Sequence, residues 1–234
     1  VYTKDGSQVA VVHFIEVNSA TDKTEKGGVA QSIVDTGDTG KAFTKGAEVT
    51  STIEALKAKG YTVVENNYPT DGTFDADATT NQEYKVLVAV KPVTVTPNDP
   101  TPTKDQPIDP NNPTGPKWTP ELIKELEDGR KEEVKRTIKY VYADGKKAAD
   151  TKEETKEFTR SATINPVTGT ITFGEWSPAQ TFEAVTSPEI KNYTPNKATV
   201  PASEVTATAE DINETVVYTT KPLSVDPTKP VDPN

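Results

Sequence analysis

The sequence predicts an α+β protein, rich in strands and poor in helix, built as two related modules joined by a proline-rich linker and elongated in form. Three observations lead there. Apolar residues make up only 32% of the 234 residues, so two modest cores are easier to fill than one large one. Stretches with period-two alternation far outnumber helical ones. The 19 prolines fall mainly in two places. They divide the chain into a first module at 1–92, a linker at 93–117, a second module at 118–221 and a tail at 222–234.

The formal charge is -10, so nucleic acid and anionic membrane surfaces are repelled at long range and neither is an expected partner. Cysteine and methionine are both absent. That excludes disulfides, thiolate chemistry and cysteine-ligated zinc, and it leaves little to oxidise, as suits an exterior location. No apolar stretch approaches the roughly 18 residues that cross a bilayer, and no basic-then-apolar leader opens the chain. Val1 begins abruptly, so the chain reads as an excised fragment, with secretion and anchoring signals elsewhere in its parent.

The first module opens on VAVVHFIEVNSATDKT (9–24), an alternating strand that runs into an Asp and a Lys. DTGDTGKAFTKG (35–46) has the outline of a phosphate loop, but Ala42 follows Gly40-Lys41 where a Ser or Thr is needed, so it reads as a surface loop. Ser51 and Glu54 have the spacing of a capping box for a short helix through IEALKAKG. Val49, Ile53 and Leu56 share one face of it, Lys57 and Lys59 suit its last turn, and Gly60 is a natural stop. The closing strand puts Tyr84, Val86, Val88 and Val90 on one side. A strand pair, a helix and further strands make the pattern of a β-grasp, ubiquitin-like module.

KPVTVTPNDPTPTKDQPIDPNNPTGP (91–116) has proline every few residues, which predicts an extended, polyproline II tether. Its opening, KPVTVTP, returns as KPLSVDP at 221–227, and a linker that recurs after each block implies a tandem array. The second module begins WTPELIKELEDG (118–129): Thr119 can cap a helix, Pro120 fits its first position and Gly129 can end it. Val134, Ile138, Tyr140 and Tyr142 then share a strand face. FTRSATI (158–164) and TITFGEW (170–176) flank Asn165-Pro166-Val167-Thr168-Gly169, a hairpin loop built on a type I turn. The modules resemble each other at both ends, VKRTIKYVYADGKKA (134–148) answering 9–24, and each closing on a Tyr, a Pro turn and a strand. Their threonine content lets a sheet keep one face wet at little cost in strand propensity.

Catalytic chemistry finds little purchase. The single histidine, His13, lies inside a strand and reads as half-buried with one nitrogen satisfied. No Gly-x-Ser-x-Gly elbow occurs, and nothing places two carboxylates across a sugar ring. Asp71, Asp75 and Asp77 carry oxygens that calcium could take. They lack the EF-hand's central Gly and closing Glu, so a solvated acidic turn is the expectation and calcium the alternative. No other cofactor is called for, and no enzyme emerges.

RTIKYVYADGKKA (136–148), FTRSATINPVTGTITFGEWSPAQTFEAVTSPEIKNYTPNKATVPASEV (158–205) and the closing ETVVYT resemble the mucin-binding repeats of Lactobacillus-type cell-surface adhesins. Arg-Thr-Ile-x-Tyr, the Phe-Thr-Arg strand, Gly-x-Trp-Ser-Pro and Ser-Pro-x-Ile-x-x-Tyr-Thr-Pro carry the likeness, across nearly all of 130–220. The first module resembles the shorter unit that precedes it in such repeats, through Gly60-Tyr61, Tyr68-Pro69-Thr70 and Asp75-x-Asp77. One departure is Asn192, where the family commonly has Gly; Asn tolerates left-handed φ, so the turn survives.

The resemblance implies two β-grasp-like modules in an elongated array, secreted, anchored to a Gram-positive cell wall and monomeric within the array. It implies adhesion to mucin glycoproteins through their glycans. Immunoglobulins, or another host protein taken by strand addition, are the second expectation, and a passive spacer the third. An acidic chain on acidic mucins must bind by stacking and hydrogen bonds, or through a bridging cation. Trp176, Tyr193, Tyr68 and Tyr61 are the candidate rings, with packing as the competing role of each.

Overall fold

The structure is a computed structural model and describes residues 8–222. The chain's first residues and most of the tail, including the KPLSVDP repeat beyond Pro222, lie outside the described residues. In chain order the first elements are β1 (Gln8–Val17), β2 (Glu25–Gly37), α1 (Gly46–Ala58), β3 (Tyr61–Asn66), β4 (Gln82–Val90) and β5 (Val93–Val95). Then come α2 (Pro120–Arg130), β6 (Lys131–Tyr142), β7 (Lys147–Thr159), β8 (Ala162–Ile164) and β9 (Ile171–Phe173). The last are β10 (Gln180–Phe182), β11 (Val185–Thr186), β12 (Tyr193–Pro195), β13 (Thr199–Val200), β14 (Ser203–Val205) and β15 (Ile212–Thr220). Strand dominates, with few helices, as the composition predicts.

The elements form two compact units, and the division does not fall at the proline-rich segment. One unit holds the chain up to Arg130 together with Ser161–Gly174; the other holds Lys131–Arg160 and the residues from Glu175 onward.

In the first unit the larger sheet has the order β2-β1-β4-β3. β1 runs antiparallel to β2 and parallel to β4, and β3 runs antiparallel to β4. The alternation in β4 does what the sequence predicts: Val86 and Val88 meet Val12 and Phe14 under Val49 and Leu56 of α1, with Tyr84 and Ile53 at the margin. Each side chain so buried is worth roughly 2 kcal/mol. The opposite face is not wet there. Val17, Leu87 and Ala89 are buried with Ile15 and Val64 beside them. A continuous apolar run such as Val86–Ala89 is what a strand buried on both faces requires.

Helix α1 begins earlier than the proposed capping box. Ser51 lies inside it, Glu54 pairs with Lys57 at 2.9 Å, and the N-cap residue Lys45 makes no side-chain cap. The chain entering the helix is instead tied from across the fold. Asp35, on β2, accepts from the Thr44 and Lys45 N–H groups at 2.6 and 3.0 Å and from the Thr44 hydroxyl at 2.7 Å. Asp35 is buried, so this carboxylate offsets its desolvation with charge-assisted bonds. The stretch read as a surface loop is therefore partly structural, since Phe43 also packs against Tyr68, Phe74 and Tyr84. At the other end the sequence is right: Gly60 has φ +101° and donates to the Lys57 carbonyl at 2.9 Å.

A second sheet of this unit, β5-β8-β9, packs with α2 around Val95, Ile108, Trp118, Leu126, Ile164 and Ile171. Here the structure departs from the polyproline tether predicted at 93–117. Val95, Ile108 and Trp118 are buried, and the Trp118 and Ile108 amides donate to the Gln106 and Pro116 carbonyls at 2.9 Å each. Apolar residues at both ends of the segment supply a reason to fold that proline spacing hides. Arg130 supplies the donors. Its buried guanidinium reaches the carbonyls of Thr96 (3.2 Å) and Asp99 (3.3 Å) and the hydroxyl of Thr101 (3.2 Å), while Nε donates to Glu127 (2.8 Å).

In α2, Thr119 accepts from the Leu122 N–H at 3.3 Å and Pro120 opens the helix. Gly129 does not end it; it lies inside, where a Cβ would overlap the Phe173 ring. The predicted hairpin forms, with Gly169 at φ +74° donating to the Asn165 carbonyl at 2.8 Å. Its strands are short, because Phe158 and Thr159 end β7 and only Ala162 opens β8.

The second unit's main sheet has the order β12-β15-β6-β7, with β6 antiparallel to β7 and parallel to β15, and β12 antiparallel to β15. Strand for strand this is the arrangement of the first unit, so the internal repeat read at the module ends extends to the whole sheet. No described residue between β7 and β12 is helical. The short ladders β10–β14 and β11–β13 take that face, burying Phe182, Val185, Val200 and Val205 against Val134, Ile138, Tyr140 and Tyr218. Arg136 shares the buried face of β6. Glu154 accepts from its Nε and Nη2 at 2.9 and 2.6 Å, the carbonyls of Glu183 and Pro201 accept at 2.6 and 3.4 Å, and the Phe182 ring lies 4.8 Å away.

Removing one partner from such a network leaves desolvated acceptors unpaired. Arg136→Met is expected to lower the unfolding free energy by about 3 kcal/mol, read as a shift in urea midpoint. For Arg130→Ala the expected outcome is local. Protease should leave 96–116 intact in the parent chain and cut within it in the variant; equal resistance would show that the guanidinium does not hold the segment.

Candidate functional site

Two shallow grooves, one in each unit, bring together side chains suited to binding. The groove of the second unit lies where the chain loops between β11 and β13. Ser187 ties the loop's base, its amide donating to the Ala198 carbonyl at 2.9 Å and its hydroxyl to the Lys197 carbonyl at 2.7 Å. The Tyr218 hydroxyl donates to the Pro188 carbonyl at 2.6 Å. Burial raises the pKa of that phenol, so it stays a neutral donor. Asn192 adopts φ +68°, the left-handed turn expected of it, and its carbonyl accepts from the Lys221 N–H at 2.8 Å.

The resulting groove has a volume of about 370 Å³ and is lined by Pro188, Glu189, Ile190, Lys191, Tyr193 and Lys221, among others. Tyr193 is half-buried, its ring 4.7 Å from that of Tyr142. Lys191 and Lys221 form no ion pair among the described residues. Two unpaired cations beside one carboxylate make this a locally positive place on an acidic chain.

The other sequence candidates fare differently. Tyr61 lines a groove of about 380 Å³ in the first unit, with its hydroxyl donating to Glu16 at 3.3 Å. Trp176 is half-buried in the Phe182 cluster and carries the Arg160 guanidinium 4.1 Å over its ring, so packing claims it. Tyr68 is 8% exposed within the Phe43–Phe74–Tyr84 cluster and its hydroxyl has no partner among the described residues. It is a core residue and presents no ring to a ligand.

His13 differs in detail from its expected state: both ring nitrogens have partners, Ser32 at 2.8 Å and Glu83 at 2.5 Å. In the Asp71–Asp77 loop both Asp77 oxygens and one of Asp75 bond within the loop itself. Asp77 accepts from the Thr79 N–H (2.9 Å), the Thr79 hydroxyl (2.6 Å) and the Thr80 hydroxyl, and Asp75 accepts from the Asp77 N–H at 3.0 Å. Among the described residues no group of three or more His, Cys, Asp or Glu is placed to hold a metal ion.

Aromatic rings are the signal a sequence offers for sugar binding, and Lys191 and Lys221 beside Tyr193, and Asn111 and Asn112 in the groove of Tyr61, escape it. Lys191 stands two positions from Tyr193 and was within reach. Lys221 joins the groove only through the pairing of Tyr193 with Thr220, which no local pattern announces.

The Asp77 carboxyl is held down from 3.8 to about 2, chiefly by the Thr79 and Thr80 hydroxyls. Since the folded value lies below the unfolded one, the loop's contribution is complete above the unfolded value and is lost as pH falls through the folded one. Asp77→Asn is therefore expected to flatten the fall of melting temperature between pH 3.8 and about 2. An unchanged slope would show that the loop's bonds do not persist in solution.

The likenesses to known families do not follow the two units: the second likeness takes in the end of α2 and the β8–β9 hairpin of the first unit as well as the second unit. Residues 8–89 match the mucin binding domain family and residues 126–222 the Muc B2-like domain family. The solved structure of Mub-RV is 22% identical over 92% of this chain and 100% of that one, with a TM-score of 0.67. The type 2 repeat of the mucus binding protein MUB from Lactobacillus reuteri is 26% identical over 91% and 100%, with a TM-score of 0.50. The MucBP domain of the adhesion protein from Pediococcus pentosaceus is 35% identical over 38% and 99%, with a TM-score of 0.35. No curated protein matches the chain.

Proposed function

This chain belongs to the mucin-binding domain family of surface proteins, and from that premise we propose that it is an adhesion repeat that holds host mucus glycoproteins by their glycans. The observation that carries this reading is the groove beside Tyr193, where a tyrosine ring shares a concave surface with the unpaired Lys191 and Lys221. Mucin glycans carry sialic acid and sulfate, which a chain of net charge -10 repels at a distance. Two local cations reverse that at contact range, where the Debye length of about 8 Å hides most of the remaining charge. Pro188, Ile190 and the Tyr193 ring face the apolar side of a pyranose, and the ammonium groups donate to its carboxylate or sulfate.

Neither matched family is an enzyme family, and adhesion asks only for retention. A single open groove is expected to bind weakly, and tandem repeats raise the effective concentration and hence the avidity. The setting of this reading is a secreted protein anchored to a Gram-positive cell wall. Among the described residues no helix is long and apolar enough to cross a membrane. The sheet order common to the two units supports reading each as β-grasp-like.

A second reading, capture of immunoglobulin or another host protein by strand addition, draws on β2. It is an edge strand with Val34 53% exposed, a place where a partner strand could pair.

Retention on immobilised mucin separates the two. Lys191→Glu is expected to weaken it about tenfold, or ~1.4 kcal/mol. Tyr193→Ala should do the same, and Tyr193→Phe should leave it intact. Removing sialic acid and sulfate from the mucin should reproduce the lysine effect. Retention indifferent to deglycosylation would overturn the glycan reading, and retention of antibody alone would install the second.

A further inference from the structure

The first unit carries its own groove, and its chemistry differs from that beside Tyr193. Three separated stretches build it: the last turns of α1 with Glu54 and Lys57, the start of β3 with Tyr61, and the fold of the proline-rich segment from Asp109 to Thr114. The groove is held open by specific bonds. Asn112 donates through Nδ2 to the Lys57 carbonyl at 2.7 Å, a second donor on an oxygen that already accepts from the Gly60 N–H, and so ties the segment to the end of α1. The Asn112 amide donates to the Asp109 carbonyl at 2.9 Å, and the Gly115 amide to the Asn112 carbonyl at 3.0 Å. Ile108, 2% exposed, anchors the segment just before it. Tyr61 is fixed in turn by its bond to Glu16 at 3.3 Å.

We propose that this groove is a second saccharide site, for an uncharged sugar of the hexopyranose or N-acetylhexosamine class. The proposal takes its class of ligand from the adhesion reading above and otherwise stands on this groove alone. Charge is the first argument. Glu54 and Asp109 balance Lys57 and Lys91, and Lys57 is already neutralised by Glu54 at 2.9 Å, so nothing here favours an acidic terminus. The second is hydrogen-bond inventory. Vicinal hydroxyls need a donor and an acceptor side by side. Asp109 and Asn111 stand together in a turn, the Asp109 Oδ1 accepting from the Asn111 amide at 2.9 Å and from its Nδ2 at a long 3.3 Å. That arrangement leaves Asp109 Oδ2 and Asn111 Oδ1 as acceptors and one Asn111 Nδ2 hydrogen as a donor. The third is the half-buried Tyr61 ring in the same groove, a flat apolar surface of the kind a sugar's C–H face covers.

Amide-resolved NMR of the whole chain tests this, with methyl galactoside and methyl N-acetylgalactosaminide as neutral probes and sialyllactose as the acidic one. The neutral sugars are expected to shift resonances at 54–63 and 109–114. Asn111→Ala, at an exposed position, should weaken that binding about tenfold, as loss of paired hydrogen bonds to a ligand does. Tyr61→Leu should do likewise, with an unchanged spectrum elsewhere reporting an intact fold. Neutral sugars that move nothing at those positions, or move them equally in Asn111→Ala, overturn the proposal. So does sialyllactose shifting 54–63 and 109–114 where the neutral sugars do not. Sialyllactose shifts at 186–198 report the groove beside Tyr193, which keeps a failure of that reading distinct from a failure of this one.

Discussion

Proline takes an N–H out of the backbone and leaves the carbonyl behind, so a chain with 19 prolines has more acceptors than donors. A fold that buries its proline-rich stretches must find the missing donors in side chains. Arg130 and Arg136 each serve more than one such carbonyl, at 2% and 1% exposure. A guanidinium carries five N–H groups in a rigid fork and no acceptor, so a single residue can serve several carbonyls at once. Arg130 does this for 96–101, and Arg136 for the irregular chain at Glu183 and Pro201. Each pairs with a glutamate that keeps the charge compensated, Glu127 and Glu154 respectively. A lysine would supply the charge but not the reach.

Both grooves follow from that constraint. The wall of the first is the proline-rich segment itself, which has a defined surface only because it is folded; left as a tether, it would carry Asn111 and Asn112 on a moving chain with no fixed relation to Tyr61. The groove of the second unit depends on the irregular chain between short ladders, where Arg136 serves the Glu183 and Pro201 carbonyls and Tyr218 that of Pro188. Adhesion by weak single contacts needs such rigidity, because every side chain ordered on binding subtracts from a small total.

What the sequence made legible was periodic. The faces of β4, β6 and α1 followed from alternation and helical spacing, and so did the hairpin at Asn165–Gly169, whose loop chemistry is local. The elements it misplaced are those decided at long range. Ser51 satisfies every local rule for a cap, yet the helix starts at Gly46, where Asp35 of a distant strand ties Thr44 and Lys45 just ahead of it. Gly129 looks like a helix stop and is instead a packing requirement of Phe173. Proline density hid Ile108 and Trp118, two residues whose burial outweighs the polyproline preference around them. Among the site candidates, Tyr61 and Tyr193 line grooves and Tyr68 does not. All three precede or follow a turn in the sequence, and only the neighbours that three-dimensional folding provides distinguish them.

Net charge misleads for the same reason. At -10 the chain is a poor partner for acidic glycans if its charge is taken as a sum. Many of its described lysines are spent in ion pairs, as Lys23, Lys26 and Lys85 are with Glu65, Glu16 and Glu25. Exposed pairs of that kind add little to stability, but they cancel the positive field locally. The lysines left unpaired then count for more than their number, and Lys191 and Lys221 are placed where a tyrosine ring and a concave wall already exist. An acidic surface with a cationic recess also disfavours loose binding to polyanions, which need many cations in a row. A short acidic terminus entering a recess needs only the two. Selectivity of that sort comes from where the few free charges sit, with the bulk of the surface acting against everything that does not fit.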